Sequence, residues 1–289
     1  MIPEAFEYFV PSSLREAMSL AQRYGGDAKF LSGGHSLLPL MKMRLAAPKY
    51  LIDLAGIPDM DQVSQTGEKL RIGARATHHQ IEINPLVRKG CPLLAQTAAE
   101  IGDPQVRNRG TLGGSIAHSD PAADYPAALL ALDAEIEIHN SAGTRIVPAA
   151  DFFVDLFTSV LAEGELVVAV HVPLLRIGAG TAYKKLPQQA SGFAVTGVAT
   201  VLERDAKGTC TRIAVAVTGV GPRPFRATAV ETALVGKNLN ERTISDACRQ
   251  IAASIDALSD IHASAEYRKA MTDVFAKRAI ADAAARAQA

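Results

Sequence analysis

The chain contains no tryptophan, and aromatic residues make up only 5% of its 289 positions. That scarcity argues against a stacking platform for nucleic-acid bases. Charge of one sign is missing too: 30 Lys and Arg balance 30 Asp and Glu, for a formal net charge of zero. Nucleic acid and anionic membrane both call for a basic excess, so neither is expected as a main partner. Cysteine is scarce, with Cys91, Cys210 and Cys248 far apart in the chain. This spacing excludes a disulfide framework, a zinc ribbon and a self-contained iron–sulfur cluster, which needs about four organised thiolates. A reduced, cytoplasmic chain is the expectation. Long apolar runs are absent as well: Leu166 to Val170 is strand-sized, far short of the ~20 residues of a membrane span. The opening Met1-Ile2-Pro3-Glu4 lacks the basic stretch and apolar core of a signal peptide.

What the chain does have is a 48% hydrophobic fraction, enough for the cores of two or three domains. Ser12-Ser13 followed by Glu16, Ala17, Leu20 and Ala21 opens an amphipathic helix. Lys29 to Leu31 and Tyr50 to Leu54 read as strands, giving a βαβ-like beginning with a short helix or turn over Pro39 to Arg44. Alternation predicts further strands over Leu70 to Thr77 and Glu135 to His139, the latter in a hairpin with Arg145 to Val147. Leu166 to Val172 is another strand, and Pro92 to Ile101 has one apolar helical face. Gly178-Ala179-Gly180 is the linker candidate. Strand-like runs follow over Thr181 to Leu186, Val195 to Glu203 and Thr211 to Val217, then an Ala-rich helical tail from Ala227.

Two glycine clusters carry the chemical reading. Ser32-Gly33-Gly34-His35-Ser36 follows a strand and leads into a Pro-containing turn, exposing several backbone N–H groups together. Unobstructed donors of this kind suit a phosphate. Thr111-Leu112-Gly113-Gly114-Ser115 repeats the pattern about 75 residues later. One loop on each side of a pyrophosphate would hold a dinucleotide without any lysine. Neither cluster fits the Rossmann or P-loop spacing, and each Gly-Gly pair alone is more often an ordinary tight turn.

Other polar residues admit two readings. His35 either lines a ligand or caps its own loop; His118 and Asp120 suit a local turn network more than a catalytic pair. His78 and His79, if in a strand, face opposite ways and cannot easily share a metal. Asp124 is placed to cap a helix. Lys185 beside Lys184 is a candidate solvated edge-strand pair. Arg107 and Arg109 are surface charges or phosphate partners, and Cys91 and Cys248 fill the core.

The stretch Ser32 to Pro39 with Met41 and Arg44, together with Thr111 to His118 and Asp120-Pro121-Ala122-Ala123-Asp124, resembles one family over almost the whole chain. That family is the FAD-binding medium subunit of the molybdenum hydroxylases, of the aerobic carbon monoxide dehydrogenase and xanthine dehydrogenase type. The resemblance implies an α+β fold: residues 1–177 as two α/β subdomains of the vanillyl-alcohol-oxidase-like type, holding an extended FAD. Residues 178–289 would form a C-terminal domain with a three-stranded antiparallel sheet and a helix bundle. Matched residue by residue, it implies cofactor contacts from Ser32, Gly33, Gly34, His35 and Ser36. Thr111, Leu112, Gly113, Gly114 and Ser115 form the second loop. Asp124, Lys185, Ile101, Val167 and Phe193 complete the set. No catalytic residue and no metal ligand is implied. Pro187-Gln188-Gln189 departs from the relatives that carry an Arg shortly after the lysine. The implied function is an oxidoreductase subunit that takes electrons from [2Fe–2S] clusters on a small subunit and hands them to an external acceptor. Hydroxylation would occur on a large molybdenum-cofactor subunit, within a dimer of heterotrimers. The alternatives are a stand-alone FAD-dependent oxidoreductase and a non-catalytic FAD-binding assembly subunit.

Overall fold

The computed structural model describes residues 2–249 and 251–288. The chain starts with strand β1 (Glu7–Phe9), helix α1 (Leu14–Tyr24), β2 (Ala28–Leu31), α2 (Leu37–Lys42) and β3 (Tyr50–Asp53). These strands form a small parallel sheet in the order β1-β3-β2. Ser13 caps α1 by accepting from the Glu16 amide, and Ala17, Met18 and Ala21 are its buried stripe. Gly25, at a φ of +52°, ends it.

A five-stranded antiparallel sheet follows, in the order β4-β5-β10-β6-β7. Its strands are β4 (Val63–Thr66), β5 (Lys69–Gly73), β6 (Glu135–Asn140), β7 (Gly143–Pro148) and β10 (Leu166–Pro173). The unbroken apolar run of β10 fits the middle position, whereas β6 alternates Glu135, Ile136, Glu137, Ile138 and buries only the isoleucines. Between β5 and β6 lie six helices: α3 (His78–Ile83), α4 (Pro85–Gly90), α5 (Pro92–Ala99), α6 (Pro104–Arg107), α7 (Leu112–His118) and α8 (Tyr125–Ala131). Helix α9 (Ala149–Phe152) and the hairpin β8 (Phe153–Asp155) and β9 (Thr158–Ser159) precede β10. Every residue of α8 is buried.

The C-terminal part is a sheet of β11 (Gly180–Pro187), β12 (Ala194–Arg204), β13 (Cys210–Thr218) and β14 (Phe225–Arg226), then α10 (Thr228–Leu234), α11 (Glu241–Cys248) and α12 (Ala265–Arg286). Its strands sort their side chains by parity. Tyr183, Ala199, Val201, Ala214 and Ala216 join the core of the preceding part, while Ala182, Val198, Leu202, Ile213, Val215 and Val217 pack under the helices. One sheet thus serves two cores.

Two expectations need correction. The C-terminal sheet has four strands rather than three. The extra one, β14, is two residues long and pairs only Arg226 and Phe225 with Ala216 and Val217. Its position after two prolines at the sheet edge leaves no alternation to read. Second, the strand expected over Leu70 to Thr77 stops at Gly73, whose Cβ position would lie 2.3 Å from the Met60 carbonyl oxygen. His78 and His79 are therefore helical, opening α3 behind a capping box between Thr77 and Gln80. The Gly178 to Gly180 segment is tightly packed: a Cβ on Gly180 would fall 1.9 Å from the Ala283 carbonyl oxygen of α12.

Candidate functional site

The two glycine loops, 79 positions apart at their contact, meet in space: Ser32 Oγ and Thr111 Oγ1 are 3.0 Å apart and hydrogen-bonded. The approach is close enough that a Cβ on Gly33 would lie 2.2 Å from the Arg109 carbonyl oxygen. The second loop is stitched to the end of β5, with Leu112 N donating to Ala76 O at 3.0 Å and Gly113 N to Ala74 O at 2.8 Å. His78 N donates to Gly110 O at 3.0 Å, and Thr77 and Thr111 form a β-bridge. Thr111 is also the N-cap of α7, its side chain accepting from Gly114 N at 3.2 Å.

The loops differ in what they leave free. In the second, the amides of Leu112, Gly113, Gly114 and Ser115 are all engaged within the chain. In the first, no described group accepts from the amides of Gly33, Gly34, His35 or Ser36. Gly34 sits at φ +77°, which lets successive N–H groups converge. Gly114 is exposed, and an added Cβ would meet only Thr111 Oγ1, at 2.8 Å. One loop therefore offers donors and the other an unobstructed glycine face, which together fit a pyrophosphate. His35 is exposed and its Nδ1 lies 3.3 Å from Gly33 O of its own loop.

A second cluster is built from three elements. Asp124, buried just before α8, makes no helix cap. Its carboxylate instead accepts from Tyr183 Oη at 2.5 Å and pairs with Lys185 Nζ at 3.0 Å. Tyr183 and Lys185 share one face of β11 because they are two residues apart. The Lys185 ammonium also donates to Gly192 O at 2.8 Å and to Glu100 O, so its three protons all have acceptors. Its side chain is 1% exposed, which removes the solvated-pair reading; Lys184 is the lysine that pairs with Asp282 at the surface, at 2.6 Å. Burial raises the Asp124 pKa to about 6, against the downward pull of Lys185 and Tyr183. The Tyr183 hydroxyl is pushed well above its ordinary pKa by burial beside that carboxylate.

Lys185 joins the 100–102 turn to the 188–193 loop, which bring Ile101, half-buried, and Phe193, 39% exposed, to the same region. Arg107 stiffens that turn, donating to the carbonyls of Ile101 and Gly102 at 3.2 Å while pairing with Glu82 at 3.1 Å. Val167 lies in the sheet core, 2% exposed. Beside the second loop, His78 is buried with Nδ1 3.2 Å from Tyr125 Oη, and desolvation, with His35 and Arg107 adding to it, drives its pKa down to about 3. Asp120 accepts from Ala122 N at 2.8 Å, a local turn bond. Tyr183, Tyr125 and Arg107 in these roles were not anticipated. The i, i+2 spacing of Tyr183 and Lys185 on a strand was the available signal for one of them.

Comparison with known proteins gives the family. Residues 4–175 match the FAD binding domain in molybdopterin dehydrogenase, and residues 181–283 match the CO dehydrogenase flavoprotein C-terminal domain. The carbon monoxide dehydrogenase medium chain of Hydrogenophaga pseudoflava is 39% identical over 99% of each chain. The nicotine 6-hydroxylase medium subunit of Paenarthrobacter nicotinovorans is 36% identical over 98% of each. Among solved structures, carbon monoxide dehydrogenase from Hydrogenophaga pseudoflava superposes with a TM-score of 0.96 over 100% of both chains, at 41% identity. Quinoline 2-oxidoreductase from Pseudomonas putida 86 gives 0.94 at 33% identity, over 99% of this chain and 99% of its own. The chain thus belongs to the FAD-binding medium subunits of the molybdenum hydroxylases, which are oxidoreductase complexes.

Proposed function

We propose that this chain is the electron-transfer flavoprotein subunit of a cytoplasmic molybdenum hydroxylase. Residues 1–177 would form the FAD-binding domain, with its two subdomains of vanillyl-alcohol-oxidase-like type, and 178–289 the C-terminal domain. Electrons would arrive from [2Fe–2S] clusters on a small partner subunit and leave to an external acceptor, while a large molybdenum-cofactor subunit handles the substrate. A dimer of heterotrimers is the proposed assembly. Bound FAD supplies reversible electron uptake and release; the protein supplies binding, orientation and environment.

The single observation that carries this reading is the closure of the two loops at Ser32 and Thr111, free donors on one side and exposed Gly114 on the other. In this reading Ser32 to Ser36 and Thr111 to Ser115 grip the pyrophosphate. Ile101, Asp124, Lys185, Phe193 and the edge of Val167 lie toward the flavin ring. Relatives named for carbon monoxide, nicotine and caffeine match along nearly all of this chain, which supports placing substrate choice on another subunit. Two separated loops suit a dinucleotide, so cofactor extraction and chromatography should recover FAD and not FMN. FMN alone, or a colourless protein that ignores added FAD, would overturn the assignment.

A further inference from the structure

Arg268 is a long cation buried to 2% exposure on the first turns of α12, far in sequence from either glycine loop. A guanidinium is costly to bury, and its hydrogen bonds indicate what it holds. Its Nη1 donates to Val195 O at 2.9 Å and to Gly219 O at 2.7 Å, and Nη2 pairs with Asp260 at 2.7 Å. Val195 lies at the start of β12 and Gly219 just past the end of β13, so one side chain ties together the turn end of the C-terminal sheet. Gly219, at φ +85°, brings its own backbone against Ala194 O; a Cβ there would lie 2.8 Å from that oxygen.

The other side of the same backbone faces the segment leading to Asp124. Gly219 N donates to Pro121 O at 2.9 Å and Ala194 N to Ala122 O at 3.0 Å. Thr218 Oγ1 lies 3.0 Å from Pro121 O and 2.7 Å from Ala123 O, and its single proton goes to the nearer carbonyl, that of Ala123. Three successive carbonyls, of Pro121, Ala122 and Ala123, are therefore held by the sheet end whose own carbonyls are held by Arg268. The next residue is Asp124, partner of Lys185 and Tyr183, and Phe193 directly precedes Ala194.

We propose that Arg268 is a positioning residue for the Asp124–Lys185 pair, acting through the sheet end that it clamps and the 121–123 backbone that this sheet end holds. The flavin-side consequence rests on the proposed placement of Asp124 and Lys185 toward the ring; the clamp itself does not. A merely structural arginine would lock α12 to the sheet and affect all of the C-terminal core alike.

The test compares the full chain with Arg268→Lys, which keeps the charge but loses the two-pronged carbonyl contact. Asp260→Asn weakens the hold on the guanidinium without emptying its pocket. Ile280→Val is the control, a buried change in the same helix that touches none of these links. Exchange of the Ala194 and Gly219 amide protons, which are donated to the Ala122 and Pro121 carbonyls, measured without cofactor, should accelerate by about tenfold in Arg268→Lys, the scale of one lost charge-assisted hydrogen bond. Asp260→Asn should show the same pattern at smaller size and stand in should Arg268→Lys fail to accumulate. Ile280→Val should leave both amides unchanged. Native exchange at both amides in both clamp variants, or acceleration equal to that in the control, overturns the proposal. With FAD bound, the flavin midpoint potential and visible spectrum should shift in Arg268→Lys. Faster exchange with an unshifted flavin leaves the clamp standing and overturns the ring-side placement of Asp124. A chain that takes up no FAD overturns the proposed function instead.

Discussion

Lys185 spends all three of its protons on Asp124, Glu100 O and Gly192 O, so its charge is a tie between segments as well as a feature of the site. Lys185→Ala should therefore cost about 3–5 kcal/mol, because it strands the buried Asp124 carboxylate without its countercharge. Adding Asp124→Asn in the same chain should recover much of that loss, and urea denaturation of the four species measures the coupling. Strictly additive losses would mean the two side chains do not depend on each other. His78 permits a test by pH. Its pKa falls from an ordinary value near 6.5 in the unfolded chain to about 3 when buried, so below pH 6.5 the unfolded state binds the extra proton. Stability is full above that pH and is lost as pH falls toward 3. Relative to His78→Gln, the native chain should lose stability with a slope approaching about 1.4 kcal/mol per pH unit between roughly pH 5.5 and 4. Parallel pH profiles for the two proteins would show that the imidazole is not buried neutral. At this scale the sequence was only partly legible. Ser32, Gly33, Gly114 and Asp124 stand in long ordered motifs, but the Asp124–Lys185 contact spans 61 positions, and neither residue's neighbours announce the other. Without that contact, a lysine next to a lysine on an edge strand reads as solvated.

Helix α7 places a buried glycine next to an exposed one that the proposed function assigns to the cofactor. Gly113 is buried, and a Cβ would come within 2.5 Å of Ala74 Cβ and 2.9 Å of Ala74 O; Gly114 is exposed and meets only Thr111 Oγ1. Gly113→Ala should thus destabilise the chain by about 1–3 kcal/mol through overpacking against Ala74, just past β5. Gly114→Val brings its Cβ to 2.8 Å from Thr111 Oγ1, so the cap must give, at less cost than a clash with backbone, and its branched side chain stands on the face proposed for phosphate. Its FAD affinity should fall by at least about tenfold, or ~1.4 kcal/mol. Thermal melts of the apo-proteins and flavin titration separate the two effects, and native FAD affinity in folded Gly114→Val would remove the second loop from the site. The long strands β10, β12 and β13 were legible because their apolar runs exceed anything a loop would carry. Strand β5 was read past its end because Ala74 and Ala76 continue the alternation while turning toward the second glycine loop. That alternation serves close backbone packing against Gly113, not a ladder, and only the Thr77–Gln80 box marked the helix start.

Across the whole molecule, the thiols bear on the proposed division of labour between subunits. Cys91, Cys210 and Cys248 are all buried, in places filled by core side chains around them. Burial raises the pKa of Cys91 and of Cys248 to about 12 and moves Cys210 in the same direction, so all three remain protonated and out of reach. A protonated, enclosed thiol neither ligates iron nor exchanges with a partner's cysteine, and iron–sulfur clusters need thiolates gathered in one place. Any cluster that feeds electrons to this FAD site must then sit on another chain. A thiol reagent should label none of the three cysteines in the native FAD-loaded protein and all three after unfolding in guanidinium. The same protein should carry flavin without iron, and its absorbance should stay that of the oxidised cofactor when candidate substrates of a molybdenum hydroxylase are added alone. Bleaching should appear only once the cluster-bearing and molybdenum-bearing subunits are restored. Rapid native labelling would contradict the enclosed thiols. Substrate-driven bleaching of the isolated chain would instead place a complete substrate site here and favour a stand-alone flavoenzyme.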